Sequence, residues 1–374
     1  MSTSTTAPPP AVHHYEEDTS RGGQFIGWLK QQYALYILVA LLIVATITKG
    51  AVFWGGTNLT NLLLQMSIIG VVVLAELIVV LTGGIDISVG SALGLAAVIA
   101  AGLFGGPSVF LALLVAIVIG GAVGAVNGWL VAFRGLEPFI VTLGMLALAR
   151  GLVYAYGNGI PINPAAASSY AALGQSTFIG IPVLAIIWLA MVALIAFLLY
   201  RTVWGRRVYA IGSNKEAARS SGIPVKATLW SVYILAGLLV GLGGWMFLCR
   251  FASGTSTAGN LMELEAIAAV VIGGAALSGG RGKVFGAVVG TIIFAVIANL
   301  LSLLNVSTFL QDAFRGALIL VAVTLATVQF ARKRKPDIAQ PSDASSPSDS
   351  TPPSDSTPPS GSTPPSGSTQ TAAK

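Results

Sequence analysis

The sequence predicts an all-α polytopic membrane protein with about ten transmembrane helices, one of them short or broken, and with the N- and C-termini in the cytoplasm. Of its 374 residues, 55% are hydrophobic and only 9% are charged, whereas a soluble domain carries about 25% charged residues. The apolar residues are grouped in runs close to the ~20 residues that a helix needs to cross the hydrocarbon core. Lys and Arg are concentrated in short loops, which predicts the orientation because such loops stay in the cytoplasm.

The apolar runs lie, in chain order, at residues 33–53, 62–81, 85–104, 108–133, 139–156, 182–200, 229–251, 266–277, 284–304 and 309–330. The run Ala266–Leu277 is too short to cross as one straight helix. However, the basic loop Arg201–Ala227 and the basic cluster at residues 332–335 should both be cytoplasmic, which requires an even number of crossings between them. The short run therefore counts as a crossing, or it is a re-entrant or broken helix buried among other spans.

Composition divides the chain into three parts. Residues 1–32 form a polar N-terminal cytoplasmic tail, residues 33–330 the transmembrane domain, and residues 331–374 a basic flank followed by a Ser/Thr/Pro-rich repeat tail. The repeats offer nothing to bury, so we expect the tail to be disordered. The net charge of +6 reports membrane topology rather than nucleic-acid binding. The single cysteine, Cys249, excludes an intrachain disulfide, and both histidines lie in the N-terminal tail, so we expect no metal site.

The loop Arg201–Ala227 is the longest polar interruption between apolar runs, with six Lys/Arg residues against one acid, Glu216. It contains the signals of a short helix. Ser213 can cap the N-terminus, and Glu216 three residues later completes a capping box. Gly222 supplies the left-handed residue that ends the helix. With the small residues Ala217 and Ala218 on its surface, this helix could dock into the groove of a partner; the alternative is a solvated connector.

Several polar side chains lie within or beside the apolar runs, where charged groups are costly and face protein or water rather than lipid. Asp86 stands in a break whose glycines permit non-helical backbone. The candidates for a translocation path or gate are Glu76, Gly83, Gly84, Asp86, Asn127 and Asn299. The alternative is that each residue only bridges helices. Asp312 and Arg315 are spaced i, i+3 and are expected to neutralise each other.

Signatures of enzymes are missing from the sequence. The pair Gly282–Lys283 lacks the following Ser/Thr of a phosphate-binding loop, and neither HExxH nor GxSxG occurs. We therefore expect no catalytic residues, and an ATP-driven machine built on this chain must use the ATPase of a partner.

Four motifs together resemble a known family. They are LTGGIDISVGSALG (Leu81–Gly94), NGWLVAFRGLEPFIVTLGMLALARG (Asn127–Gly151), GRRVYAIGSNKEAARSSGI (Gly205–Ile223) and AVVIGGAALSGGRGKVFGAVVG (Ala269–Gly290). In this order, they resemble the permease subunits of bacterial ABC importers for monosaccharides, the ribose/xylose/fructose/galactose type. The resemblance covers about residues 35–330. One departure is Glu137, where the family often has an apolar residue or proline.

The resemblance implies a function, partners and a location. The chain would form the translocation pathway for a pentose or hexose that an extracytoplasmic sugar-binding protein delivers. It would pair with a second permease subunit, as a homodimer or a heterodimer, and with a cytoplasmic ABC ATPase that uses ATP, so this chain would bind no cofactor. It would lie in the lipid bilayer of the bacterial inner (plasma) membrane as a multi-pass protein. A secondary transporter or channel for a small polar solute, working without an ATPase, is the alternative.

The resemblance also implies which residues couple the permease to its ATPase. The stretch around the short helix matches the cytoplasmic coupling helix of the family, which favours docking over a solvated connector. Its residues are Ser213, Asn214, Lys215, Glu216, Ala217, Ala218, Arg219 and Gly222.

Overall fold

The computed structural model describes residues 33–103, 108–318 and 320, and within them nearly all regular structure is helical. The helices are α1 (Tyr33–Phe53), α2 (Gly56–Val80), α3 (Val89–Gly102), α4 (Val109–Ala132), α5 (Pro138–Gly157), α6 (Ala167–Gln175), α7 (Val183–Arg201), α8 (Val203–Ser213), α9 (Lys215–Ser220), α10 (Val225–Phe251), α11 (Met262–Ile272) and α12 (Val284–Leu303). Two short antiparallel strands, β1 (Thr177–Phe178) and β2 (Ile181–Pro182), form a hairpin before α7. Residues 308–318 are again helical.

Seven helices of the described chain are long and apolar enough to span a membrane, namely α1, α2, α4, α5, α7, α10 and α12. The predicted class, an all-α polytopic membrane protein, is therefore confirmed. The last predicted run, 309–330, is described only at its start, and the predicted tails 1–32 and 331–374 lie outside the described residues.

Burial separates central helices from peripheral ones. The most apolar window of α2 is 89% buried and that of α10 is 72% buried, whereas the corresponding value for α1 is 11%. Helices α4, α5 and α7 are also little buried, at 22%, 22% and 28% of their most apolar windows, and each exposes several large apolar side chains. Apolar side chains on the outside are expected where the solvent is lipid rather than water. Helices α2 and α10 therefore form the centre, and the peripheral helices face the hydrocarbon.

Glycines allow α4 and α10 to pack backbone against backbone. A Cβ atom on Gly120 would collide with the carbonyl oxygen of Gly237, and a Cβ atom on Gly237 would collide with that of Gly120. One turn further along, Gly124 faces the carbonyl oxygen of Tyr233. Small residues at such positions let helices approach closely, and dispersion contacts then hold them together in the absence of a hydrophobic driving force.

The loop predicted at Arg201–Ala227 contains more structure than the sequence indicated. Besides the short helix α9, it forms α8, which starts at the cap Thr202 and buries Gly205, Val208 and Ile211. Helix α8 was not predicted, because it is too short to cross a membrane and Arg206 and Arg207 interrupt its apolar residues. Here the basic end of the bundle denotes α8, α9 and the loop 273–283, and the hairpin end denotes α6 and the β1–β2 hairpin.

Helices α3 and α11 are half-helices that start inside the bundle. Residues 81–88 lead from the basic end to the first turn of α3 without forming a helix, and residues 252–261 lead from the hairpin end to the first turn of α11. The two N-termini meet, because a Cβ atom on Gly90 would collide with the carbonyl oxygen of Gly259 and with the carboxylate of Glu263. The short run predicted at Ala266–Leu277 thus begins within the half-helix α11 (Met262–Ile272), which meets the half-helix α3, and it ends in the loop after α11.

Replacing Gly237 with Ala is expected to lower the thermal unfolding midpoint of the purified protein in detergent. The added methyl group has no space against the backbone of α4, and overpacking of this kind costs about 1–3 kcal/mol. The matched control is Gly144→Ala on α5, where a Cβ atom meets nothing within 4 Å. The control should not lower the midpoint, and equal losses for both variants would contradict the close packing of α4 and α10.

Candidate functional site

A pair of buried carboxylates lies where the chain turns from α2 into α3. Glu76 is completely buried in the last turns of α2, and Asp86 is 4% exposed in the non-helical segment that follows. The backbone N–H of Asp86 donates to Oε1 of Glu76 at 3.3 Å. The turn between them depends on Gly83, whose φ of 83° is left-handed. The predicted break at Gly83 and Gly84 is therefore confirmed, and it brings two predicted site residues together.

Asp86 also organises the start of α3. Its Oδ1 accepts hydrogen bonds from the backbone N–H of Ser88 at 2.9 Å and from the Ser88 hydroxyl at 2.6 Å. The Ser88 oxygen in turn accepts a hydrogen bond from Nδ2 of Asn127 on α4 at 2.9 Å. Residues from α2, from the break and from α4 thus form one hydrogen-bonded chain, which we call the polar cluster: Glu76, Asp86, Ser88 and Asn127.

The polar cluster retains unused hydrogen-bonding capacity. Oε2 of Glu76, Oδ1 of Asn127 and the hydroxyl of Tyr233 are buried and have no partner among the described residues. Tyr233 lies beside the cluster, since a Cβ atom on Gly84 would come within 2.8 Å of its hydroxyl oxygen. Buried polar atoms are rarely left without a partner, so each such atom calls for a reason. Water or another polar molecule at this position would supply the missing partners.

Asn299 does not belong to this cluster. Its Nδ2 donates to Oδ1 of Asn58 at 2.8 Å, and Nδ2 of Asn58 donates back to Oδ1 of Asn299 at 3.1 Å. Asn58 also donates to the carbonyl oxygen of Phe53. The reciprocal pair ties α12 to the α1–α2 turn, as expected for polar side chains that bridge helices.

Two polar residues where the half-helices meet, Glu263 and Arg150, were not among the predicted site residues. Glu263 is 8% exposed in the first turn of α11, and its Oε2 has no hydrogen-bond partner among the described residues. The side chain of Arg150 on α5 donates to the carbonyl oxygens of Ser256 and Ala258, at 3.1 and 2.9 Å. A charge in an apolar run was a visible signal for Arg150, whereas Glu263 lies between the predicted runs and gave none.

At the basic end, α9 is capped differently from the prediction. The N-cap is Asn214, whose Oδ1 accepts a hydrogen bond from the N–H of Ala217 at 2.9 Å. Ser213 instead ends α8, and its hydroxyl donates to the carbonyl oxygen of Tyr209. The predicted capping box of Ser213 and Glu216 is therefore wrong. Continuation of α8 to Ser213 moves the cap one residue along, and Asn is as good a cap as Ser.

The C-terminal signal of α9 is confirmed. Gly222 has a φ of 78°, and its N–H donates to the carbonyl oxygen of Arg219, while the N–H of Ile223 donates to that of Ala218. These two bonds form a Schellman motif, in which an apolar residue after the glycine commonly packs back on the helix. Both ends of the six-residue helix are thus held by hydrogen bonds.

Ala218 does not lie on the free surface of α9, so its predicted orientation is wrong. It is 3% exposed and packs in a cluster with Ala132, Ile211, Val225 and Leu229. A helix this short needs such an anchor, because its own hydrogen bonds cannot hold it in place. The rest of the coupling stretch remains outside. The exposed residues are Ser213, Asn214, Lys215, Glu216, Ala217, Arg219, Ser220, Ser221 and Gly222.

Backbone contacts join α8 to the glycine-rich turns of the basic end. The N–H of Gly280 donates to the carbonyl oxygen of Leu81 at 2.9 Å, and a Cβ atom on Gly212 would collide with both groups. The hydroxyl of Tyr209 donates to the carbonyl oxygen of Gly282 at 2.9 Å. Burial first, and then the neighbouring Tyr200, raises the pKa of Tyr209 above its ordinary value, so this donor keeps its proton.

Asp86→Ala is expected to destabilise the protein more than Asp86→Asn. Alanine removes the acceptor of two hydrogen bonds from Ser88, and an unsatisfied buried donor costs about 1–3 kcal/mol. Asparagine keeps a side-chain oxygen at this position. Thermal unfolding of the two purified variants would test the difference; equal midpoints would show that the Asp86–Ser88 bonds do not stabilise the start of α3.

Comparison with known proteins assigns the chain to a family. The family model described as branched-chain amino acid transport system / permease component matches residues 58–323. The ribose import permease of Bacillus subtilis is 40% identical over 290 residues, which cover 77% of this chain and 90% of that protein. The xylose transport system permease of Escherichia coli K12 is 36% identical over 349 residues, which cover 76% of this chain and 88% of that protein. The galactose/methyl galactoside import permease of Salmonella typhimurium is 34% identical over 330 residues, which cover 83% of this chain and 98% of that protein.

No solved structure matches this chain. The sequence matches nevertheless extend over almost the whole described region, and they confirm the resemblance that the four motifs predicted. Together with the seven spanning helices, they make the protein a multi-pass protein of the bacterial cell membrane. The chain belongs to the family of membrane permeases that includes the ribose, xylose and galactose import permeases of bacteria.

Proposed function

We propose that this chain is the membrane-spanning permease subunit of an ATP-binding cassette importer and forms the translocation pathway for a monosaccharide. The relatives named above import ribose, xylose or galactose, which supports a pentose or hexose as the substrate. An extracytoplasmic sugar-binding protein delivers the sugar to the hairpin end. A branched-chain amino acid, which the family description names, has weaker support as the substrate, because the ribose, xylose and galactose permeases match most of this chain.

The proposed topology has ten crossings and both termini in the cytoplasm. Seven crossings are the long helices. Half-helix α3 with residues 81–88, half-helix α11 with residues 252–261, and the run that begins with the helix 308–318 supply the other three. The basic end is then cytoplasmic, as expected for short loops rich in Lys and Arg. The hairpin end, which carries the charge-free loop 157–181, is extracytoplasmic.

The observation that carries the ATP-driven mechanism is the form of α9. It is a short helix with both ends fixed, anchored on its inner side by Ala218, and exposing Lys215, Ala217 and Arg219 to the cytoplasm. A rigid projection of this kind can dock in a groove of a cytoplasmic ABC ATPase and pass its movement to the permease. The ATPase hydrolyses the ATP, so this chain needs no cofactor and performs no catalysis itself.

The same contacts offer a route from the ATPase to the translocation path. Helix α9 follows α8 directly, and the end of α8 at Gly212 lies against Leu81, which starts the segment that contains Asp86. A shift of α8 would therefore move the polar cluster. We assign the gate to Glu76, Asp86 and Asn127, with Gly83 and Gly84 as the flexible turn. A second permease subunit, identical or related, completes the pathway, and the bilayer surrounds both.

Ala217→Arg is expected to abolish ATPase docking and sugar uptake while leaving the permease folded. Ala217 is exposed in the middle of α9, so an arginine there enlarges the docking face without entering the core. Co-purification of the ATPase and uptake of D-ribose, D-xylose and D-galactose by cells are the measurements. Ala165→Arg, an exposed alanine at the hairpin end, is the control and should keep its ATPase. Uptake that persists without any ATPase would favour a secondary transporter or channel.

Asp86→Asn is expected to reduce uptake at least tenfold in a complex that still assembles. The variant keeps the side-chain oxygen that holds Ser88, but it removes the carboxylate from the gate. Uptake should be compared at equal permease level and equal ATPase co-purification. Wild-type uptake by Asp86→Asn would reduce Asp86 to a structural role at the start of α3.

A further inference from the structure

A second polar site lies in the bundle, well away from the polar cluster. A cavity of about 240 Å³ opens between α2, α10, α11, α12 and the helical segment 308–318. Its polar lining residues are Gln65, Arg250, Asn260, Glu265 and Arg315. Gln65 precedes Glu76 by eleven residues on the same helix, which places the two side chains about 16 Å apart along its axis. The cavity therefore lies nearer to the hairpin end than the gate does.

Three of the lining side chains have hydrogen-bonding capacity that the protein does not use. The side-chain amides of Gln65 and Asn260 form no hydrogen bond with any described residue, and Arg250 forms neither a hydrogen bond nor an ion pair there. Its guanidinium instead lies over the ring of Phe251, 5.2 Å from the centroid. Polar groups that line a cavity in this way are available to a ligand.

The charges at the cavity wall are partly compensated within the protein. Nε of Arg315 lies 3.0 Å from Oε1 of Glu265, with only 26% and 12% of the two side chains exposed. Arg315 also lies 3.2 Å from Oδ1 of Asp312, the pairing that the sequence predicted. Glu265, which lines the cavity, is thus held in place by Arg315. The site combines a pure acceptor (Glu265), a pure donor (Arg250) and two amides that can do both.

Three aromatic rings, together with Ile68, Ile69, Met262 and Ala295, supply the apolar part of the wall. Phe247 and Phe251 are in contact, with ring centroids 4.6 Å apart, and Phe294 is buried at 3% exposure. A monosaccharide has the complementary chemistry, because its hydroxyl groups both donate and accept while its ring carbons present C–H faces. The volume is below the roughly 300–1,000 Å³ of pockets for drug-sized ligands, which favours one small solute over a disaccharide or a peptide.

We propose that this cavity is a binding station for a single neutral monosaccharide on the translocation path, between the hairpin end and the gate. The proposal rests on the proposed function and adds the place at which the sugar binds to the protein. The Glu265–Arg315 pair closes one side of the station, and Gln65, Asn260 and Arg250 bind the hydroxyl groups.

Uptake in cells that express the permease with its ATPase and binding protein tests this site. D-ribose, D-xylose, D-galactose and L-leucine are the probes. Gln65→Leu and Asn260→Leu keep side chains of similar size but lose the hydrogen bonds. We expect each variant to reduce sugar uptake at least tenfold and to change the ratio of rates among the three sugars. Asn61→Leu, an exposed amide on the same helix that does not line the cavity, is the control and should leave both the uptake and the ratio unchanged.

Chemical labelling gives a measurement that does not depend on the transport rate. The only cysteine, Cys249, is fully buried and can be replaced by serine to give a cysteine-free protein. Asn260→Cys then places one thiol at the cavity, and Thr257→Cys places one on the exposed part of the same loop. The transported sugar, with binding protein and ATP, should slow N-ethylmaleimide modification at 260 at least threefold and leave the rate at 257 unchanged.

The possible outcomes distinguish a failure of the proposed binding station from a failure of the proposed sugar import. If the wild type imports a sugar, but Gln65→Leu and Asn260→Leu import it at unchanged rates and ratios and no protection occurs at 260, the station is refuted and the sugar function stands. If the wild type imports L-leucine and none of the sugars, the proposed function and the sugar station both fail. Loss of uptake with altered sugar ratios, together with protection at 260, supports the station.

Discussion

The structure depends on one constraint: backbone polar groups inside a membrane must find partners within the protein. Two stretches of non-helical backbone, 81–88 and 252–261, nevertheless lead into the bundle. They are tolerated because protein surrounds them. Side chains of Glu76 and Asp86 bind the N–H groups of the first stretch, and Arg150 binds two carbonyl oxygens of the second. The half-helices α3 and α11 can therefore start within the bundle, where a lipid-exposed chain could not.

This arrangement explains where polar chemistry appears along the bundle. Each break brings a carboxylate to the first turn of a half-helix or just before it, Asp86 at α3 and Glu263 at α11. Negative groups are favoured at such N-termini, where the backbone N–H groups are free. The polar cluster lies at the first break, and the cavity lies beside the second. The breaks therefore account for the position of both the polar cluster and the polar side chains of the cavity.

The glycines have two separate tasks in the same fold. At Gly120 and Gly237 they remove side chains so that α4 and α10 touch along their backbones. At Gly83 and Gly222 they adopt left-handed conformations that turn the chain. The first task makes the core rigid, and the second positions Asp86 and the end of α9. A rigid core with defined turns at the basic end suits the ATPase docking and the gate proposed above.

The sequence by itself determined the membrane class, most of the long helices, the break at Gly83 and Gly84, and the family, because composition, run length and motif order are local properties. It could not determine which side of a short helix faces inward. Ala218 packs in one cluster with Ala132 of α4, which is distant in sequence, and only tertiary packing turns it away from the surface. Likewise, Gln65, Arg250 and Glu265 come from three helices, and only the packing of those helices places them around one cavity.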